Sequence, residues 1–398
     1  MVHATDCGAP TFYEEKHMTP KKRVLTALNF QEPDRIPIDL GGYVTGITKE
    51  AYRNLCDYLD INVPISTLDV VQQLTYPDEE VLQPLGVDTR YLFTTDGSAE
   101  EEKVKETPEG KIYVDGWGVT RKLSTDGLYF DITDSPLAAA SIDELRRYPF
   151  PEVANQRDDI ADEVSNFTRT YGDSNFALTT QIFGSVFELS WYMRGFEQFL
   201  KDLYQNREVA GLLMDKVVEY WLDFFEVLFD EAGDLLDVIM VGDDLAIQHS
   251  LLINPEVYRE LVKPRHQRIY DYIKNNSSAF ICYHTCGAIR PLIPDLAEIG
   301  VDALNPVQVS AAGMDTGGLK RDFGDLITFW GGGVDTQGVF PQGTTDDVDR
   351  EVKQRIDDLA PGGGFVFNPV HNIQADVPPE NILKAYRVAR SYGREVYD

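Results

Sequence analysis

The sequence predicts an α/β protein built as a single (β/α)8 TIM barrel, and three observations carry the prediction. Short apolar runs alternate with long amphipathic segments from residue 175 onward: NFALTTQIFG (175–184), LLDVIMVGDD (235–244), AFICYHTCG (279–287), VDALNPVQ (301–308), LITFWGGGVD (326–335) and GGFVFNPVH (363–371). Continuous apolar strands joined by helical crossovers form a parallel sheet covered on both faces. Upstream, RIPIDL and DTRYLF bring the strand count to about eight, as a closed barrel requires. Finally, polar residues collect at the carboxyl end of each run: Gln181, Asp243 and Asp244, His284 and Cys286, Asn305 and Gln308, Asp335 and Gln337, Asn368 and His371. In a barrel those ends converge on one mouth. An open doubly wound sheet is the rival, but no G-x-G-x-x-G follows a strand, and the GGG stretches at 331–333 and 362–364 lack that spacing.

Taken in order, residues 1–34 read as an N-terminal extension ending in a helix. Thr19 can cap that helix, Pro20 suits its first position, and KKRVLTALNF follows with apolar residues at helical spacing. RIPIDLGG (35–42) reads as a short strand closed by a glycine turn. KEAYRNLCDYLD (49–60) reads as a helix with Ala51, Leu55, Tyr58 and Leu59 on one face and Cys56 packed nearby. Between about residues 88 and 133 the pattern turns β-like: KIYVDGWGVTRKL and GLYFDITDSP read as antiparallel strands separated by STDG. This is expected to be an inserted hairpin region near a cleft within one domain spanning residues 1–398.

Composition narrows the function. Of 398 residues, 43% are hydrophobic and 26% charged, which fits a soluble globular chain. The net charge of −30, from 36 Lys+Arg against 66 Asp+Glu, repels phosphate backbones and anionic lipid, so neither nucleic acid nor a membrane surface is expected as a partner. No run approaches the ~18 apolar residues of a membrane span, and the first residues have no apolar signal core, so a cytoplasmic location is expected. Four cysteines, Cys7, Cys56, Cys282 and Cys286, do not make a disulfide framework. The oligomeric state, a homo-oligomer included, is left open.

The chemistry is expected around FICYHTCG. Strand parity puts Phe280, Cys282, His284 and Cys286 on one side and Ile281 and Tyr283 on the other. A Cys282/Cys286 disulfide is disfavoured, since four residues of strand hold their Cα atoms roughly 13 Å apart. His284 and Cys286 offer imidazole and thiolate, both suited to zinc, and a catalytic zinc takes three protein ligands and keeps one position open. A buried thiol beside a hydrogen-bonded histidine accounts for the same pair. His371, at the end of the last run, is the candidate third ligand; a cap on the helix that follows is its other reading. Asp243 and Asp244 can be an acid/base pair, a substrate platform or a helix cap, and a cap explains only one of them. Asp335 carries the same ambiguity. Asp243 and Asp335 are thus the candidates for proton transfer, and Gln181, Asp244, Asn305 and Trp117 for substrate binding. Phe183, Phe187, Trp191 and Tyr192 form either a pocket wall or ordinary core, and His249 and His266 read as solvent or packing residues.

TPKKRVLTALNFQEPDRIPI, YHTCGAIRPLIPDLAEIGVDALNPVQ, LKRDFGDLITFWGGGVDTQ and GGGFVFNPVHNIQADVPPENI resemble the uroporphyrinogen decarboxylase superfamily over most of the chain. The resemblance implies a (β/α)8 barrel. Decarboxylases of that superfamily carry an arginine-rich R-Q-A-G-R segment after the R-x-P strand, which RIPIDLGGYVTGITKEAY lacks. The other branch contains corrinoid-dependent methyltransferases, whose zinc sits on an H-x-C-G motif and a cysteine near the last strand. His284, Cys286 and Gly287 match the motif, and His371 stands where that cysteine is expected. The resemblance therefore implies zinc and cobalamin as cofactors, a corrinoid protein as partner and a small methylated substrate, with an aryl methyl ether favoured as donor. Transfer from a methylcorrinoid to a thiol or pterin is the alternative direction. A metal-free decarboxylase using Asp243 or Asp335, and a non-catalytic docking barrel, are the alternative classes.

Overall fold

The protein is described by a computed structural model covering residues 17–95, 97–182 and 184–397. Cys7 and Phe183 lie outside the described residues. Helix α1 (Pro20–Leu28) begins as expected: Thr19 Oγ1 accepts from Lys22 N at 3.2 Å and Pro20 occupies the first helical position. The helix closes the floor of the barrel. Its Lys21 N donates to Asn175 O, Gly364 N donates to its Ala27 O, and Val24 and Leu28 pack against Val238, Met240, Cys282, Ala303, Trp330 and Val366. Arg23 fastens the helix through Asp34 (Nε to Oδ1, 2.7 Å) and the fully buried Asp88 (Nη1 to Oδ1, 2.6 Å), which also receives Arg35.

Residues 36–40 lie extended but make a single parallel bridge, Ile38 to Phe367, because Pro37 has no N–H to give to a ladder. Asp39 N still donates to Phe367 O, and Asp88 N to Ile38 O. The segment is therefore hydrogen-bonded on both sides. Helix α2 (Lys49–Leu59) buries Ala51, Tyr52, Leu55 and Cys56, whereas Tyr58 is 57% exposed. The expected face is thus rotated toward Tyr52, whose hydroxyl accepts from Asp78 N at 2.8 Å. A short ribbon, β1 (Thr67–Asp69) with β2 (Leu74–Thr75), precedes β3 (Thr89–Leu92).

Next comes a four-stranded antiparallel sheet, β4 (Lys105–Thr107), β5 (Gly110–Val114), β6 (Thr120–Leu123) and β7 (Phe130–Asp134), paired in chain order. KIYVDGWGVTRKL therefore holds two strands where one was expected. Asp115 makes the turn between them, its Oδ1 accepting from Trp117 N and Val119 N, with Gly118 at φ +81.

The main sheet adds β8 (Ala177–Gln181), β9 (Val238–Gly242), β10 (Phe280–His284), β11 (Ala303–Asn305), β12 (Thr328–Trp330) and β13 (Phe365–Val366). Its order is β13-β12-β11-β10-β9-β8-β3, all parallel, and residues 36–40 join β13 to β3 as the eighth stave. Strand parity holds: Cys282 packs inward with Met240 and Trp330, while Ile281 and Tyr283 belong to the layer under the helices. Among the described residues no helix is long and apolar enough to cross a membrane.

Candidate functional site

The site is built on the register between two neighbouring strands. His284 on β10 lies directly opposite Asn305 on β11, and His284 Nδ1 is 2.6 Å from Asn305 Oδ1. Asn305 Nδ2 donates to Trp330 O at 2.9 Å, and a carbonyl can only accept. The amide is therefore oriented with Oδ1 toward the histidine, so Nδ1 carries the proton and Nε2 presents its lone pair. That lone pair faces Cys286 Sγ at 3.5 Å.

Cys286 is held by its own backbone. Its N–H donates to Asp244 Oδ1 and the N–H of Gly287 to Gln308 Oε1, both at 2.6 Å. Gly287 has φ +87, and a Cβ there would stand 2.7 Å from the backbone carbon of Ala246. Only glycine lets the turn pass that close to the loop after β9.

His371 completes the group. Its ring centre is 5.4 Å from that of His284, and one ligand atom each from His284, Cys286 and His371 lie within 4.8 Å of one another. Tetrahedral zinc bonded to one nitrogen and one sulfur holds those atoms about 3.6 Å apart, and the His284–Cys286 pair already stands at 3.5 Å. Two imidazoles and a thiolate are a zinc-type donor set that leaves a fourth position open. Burial pushes His284 down to about 4 despite its bond to Asn305. Burial, and then His284 itself, push His371 to about 4 against the pull of Asp244. Both rings are therefore neutral at ordinary pH, the form that ligates. Burial first, then Asp244 and Glu188, raise the Cys286 thiol well above its usual value. A cation at the centre of the three reverses that.

The other expected site residues are not all at the mouth. Asp243 is fully buried, and its carboxylate accepts from Val186 N, Phe187 N and Glu188 N, each at 2.8 Å, and contacts His266 Nε2 at 2.6 Å. The expected proton-transfer residue is thus a cap on the helix Phe187–Arg194, with His266 as its buried partner. Asp335 is half-buried and closes a turn, Oδ1 accepting from Gln337 N at 3.1 Å, and it is not one of the three grouped ligand residues. Trp117 packs edge-on against Tyr220 of the outer helix Arg207–Ala232 at 4.7 Å and against Phe150 at 6.4 Å, so its indole joins an aromatic layer. Gln181 braces the loop after residue 40, its Oε1 accepting from Tyr43 N. Asn305 has both ends of its amide occupied and acts on His284. Asp244 is at the site, where it holds Cys286. Phe187 packs on Phe199 as core, and His249 is exposed.

Two residues at the site had no place in the expectations. Glu188 is buried beside Asp244, accepts from Tyr192 Oη at 2.8 Å, and burial, then Asp244 and Asp243, raise its carboxyl well above the usual range. A lone charge inside the aromatic stretch SVFELSWYM was the available signal. Arg121, from the antiparallel sheet, lies over the Tyr192 ring with its guanidinium carbon 4.8 Å from the ring centre.

A closed parallel barrel whose mouth gathers two histidines and a cysteine belongs to the (β/α)8 proteins with a metal-capable centre. The family described as Uroporphyrinogen decarboxylase (URO-D) matches residues 130–392, and this chain is a member of it. The uroporphyrinogen decarboxylase of Citrifermentans bemidjiense is 21% identical over 358 residues, covering 85% of this chain and 91% of that one. Its counterpart from Geobacter sp. (strain M21) is 20% identical over 356 residues with the same coverage. Among solved structures, a methyltransferase from Methanosarcina mazei superposes with a TM-score of 0.64 at 18% identity, covering 96% of this chain and all of the other. That likeness bears on the fold.

Proposed function

We propose that this chain is a methyltransferase that moves a methyl group from a small methylated donor, an aryl methyl ether by preference, to Co(I) of a corrinoid protein. The single observation that supports this reading is the cluster of His284, Cys286 and His371, with Asn305 engaging Nδ1 of His284 and leaving the Nε2 lone pair turned toward Cys286 Sγ. His284, Cys286 and His371 would hold zinc; bound there, zinc supplies Lewis acidity toward a donor oxygen, and cobalamin supplies the nucleophile that takes the methyl carbon. The chain's own residues have distinct tasks. Asn305 fixes the tautomer and orientation of His284. Asp244 and Gln308 fix the turn that carries Cys286. Burial keeps both histidines unprotonated, so they need not lose a proton before ligation. The absence of R-Q-A-G-R arginines after RIPI argues against a porphyrinogen with many carboxylates as substrate.

Metal analysis and cobalamin spectroscopy test the reading together. The purified chain is expected to carry one zinc, lost in Cys286→Ser, and to consume the Co(I) spectrum when given methoxylated aromatics. Wild-type protein with no stoichiometric zinc removes the proposal. If the donors leave Co(I) unchanged while supplied methylcobalamin is demethylated by thiols, the direction is reversed.

A further inference from the structure

Five arginines are buried in the described chain: Arg23, Arg35, Arg90, Arg121 and Arg194. Four of them engage their guanidinium in three or four hydrogen bonds each, to carboxylates and backbone carbonyls. Arg121, only 7% exposed, makes none. Its Nε is enclosed without a partner, and the carboxylate it pairs with, Asp115 Oδ2, is 3.6 Å away. A guanidinium carries five N–H donors, and a buried donor left unsatisfied costs about 1–3 kcal/mol. Such a group is retained where something else supplies the acceptors.

The nearby acids supply them only in part, through the long ion pair to Asp115. Asp115 uses Oδ1 on Trp117 N and Val119 N at 2.9 and 3.0 Å, and Asp69 uses Oδ1 on Gln72 N at 2.5 Å. Burial raises the Asp115 carboxyl and pushes that of Asp69 up to about 6, while the charge of Arg121 pulls both the other way. The guanidinium is meanwhile set against one aromatic ring. It lies over Tyr192, whose hydroxyl donates to Glu188, and Glu188 sits beside Asp244, the residue that holds Cys286. Stacking presets the plane of an arginine fork, the geometry that takes two oxygens side by side.

We propose that Arg121 is a substrate-binding residue that receives an oxyanion of the small molecule, in the first place a carboxylate, while the rest of the molecule extends toward His284, Cys286 and His371. The methyl donor is then a methoxylated aromatic acid. The identity of the bound molecule as a methyl donor rests on the function proposed above; its binding by Arg121 does not.

Titration calorimetry on the full chain tests the assignment, with 3-methoxybenzoate, its neutral amide, inorganic phosphate and ethanesulfonate as ligands. Wild type is expected to bind the benzoate at least tenfold more tightly than the amide. Arg121→Gln abolishes that preference with zinc content unchanged, and Arg121→Lys, with the charge but not the fork, keeps part of it. The lysine variant carries the test alone if the glutamine variant does not fold. Equal affinity for acid and amide in wild type, or a preference that survives in R121Q, overturns the proposal. A lower melting temperature in R121Q with the preference intact assigns Arg121 to a structural ion pair and overturns it as well. Arg121-dependent binding of phosphate or ethanesulfonate without the benzoate overturns the carboxylate. Arg121-dependent benzoate binding without loss of Co(I) supports the anion site and removes methyl transfer.

Discussion

At the scale of single residues, the site depends on side chains that act through others. Asn305→Ala leaves all three candidate ligands in place but frees the His284 ring, and loss of such a partner lowers metal affinity about 10–100-fold. Competition with a chelator of known affinity reads that shift, and unchanged affinity contradicts the role given to Asn305. Asp243→Ala strips a helix start of its acceptor and leaves three buried N–H groups and His266 without theirs. A loss of about 3–5 kcal/mol in denaturant unfolding is expected, since each buried polar group left unsatisfied costs about 1–3 kcal/mol. If Asp243 moved protons instead, turnover would fall with stability intact. His284 and Cys286 were legible because strand parity is a local rule. The adjacent aspartates were not: at the end of a strand one of two neighbours must turn inward, and which one is set by the helix waiting for a cap. Glu188 stood out only as a lone charge among aromatics, since its meaning comes from Asp244, 56 residues further along the chain.

At the scale of elements, α1 and the antiparallel sheet do the most to shape the barrel's two ends. Arg23 ties α1 to Asp34 and Asp88. Burial alone would raise the Asp34 carboxyl, but the hydrogen bond and charge of Arg23 outweigh it and set the folded value below the usual 3.8. The sign follows: this contribution is fully present above the unfolded value and is lost as pH falls through the lower folded one. Arg23→Met is therefore expected to lower stability at neutral pH and to flatten its dependence on pH below about 4, as read by urea unfolding at several pH values. The capped start of α1 was written locally in Thr19 and Pro20. The eighth stave was readable as an apolar run, but its reduction to one bridge follows from Pro37. The extra turn in KIYVDGWGVTRKL lay in the acceptor capacity of Asp115, which outweighed the apolar alternation around it.

At the scale of the whole molecule, alternation of strand and helix was enough to read the barrel, because each crossover leaves its own period in the sequence. Closure was read only from the strand count; the contacts that make it, residues 36–40 meeting two strands distant in the chain, leave no local pattern. The charge of −30 acts on the molecule as a whole. Self-repulsion is screened over about 8 Å at physiological salt, so the melting temperature is expected to rise between low salt and about 0.2 M sodium chloride. A fall over that range would mean that attractive exposed ion pairs such as Arg157–Asp230 outweigh the repulsion.

The floor sealed by α1 has a kinetic corollary. A vessel closed at its base has one doorway, and here the candidate metal ligands stand in it. On the function proposed above, the small donor and the corrinoid protein both need that doorway and must queue: the smaller one enters first, and its product leaves only after the larger one withdraws. Steady-state rates should then follow an ordered sequence, and an excess of the large partner should slow turnover by trapping whatever is still inside.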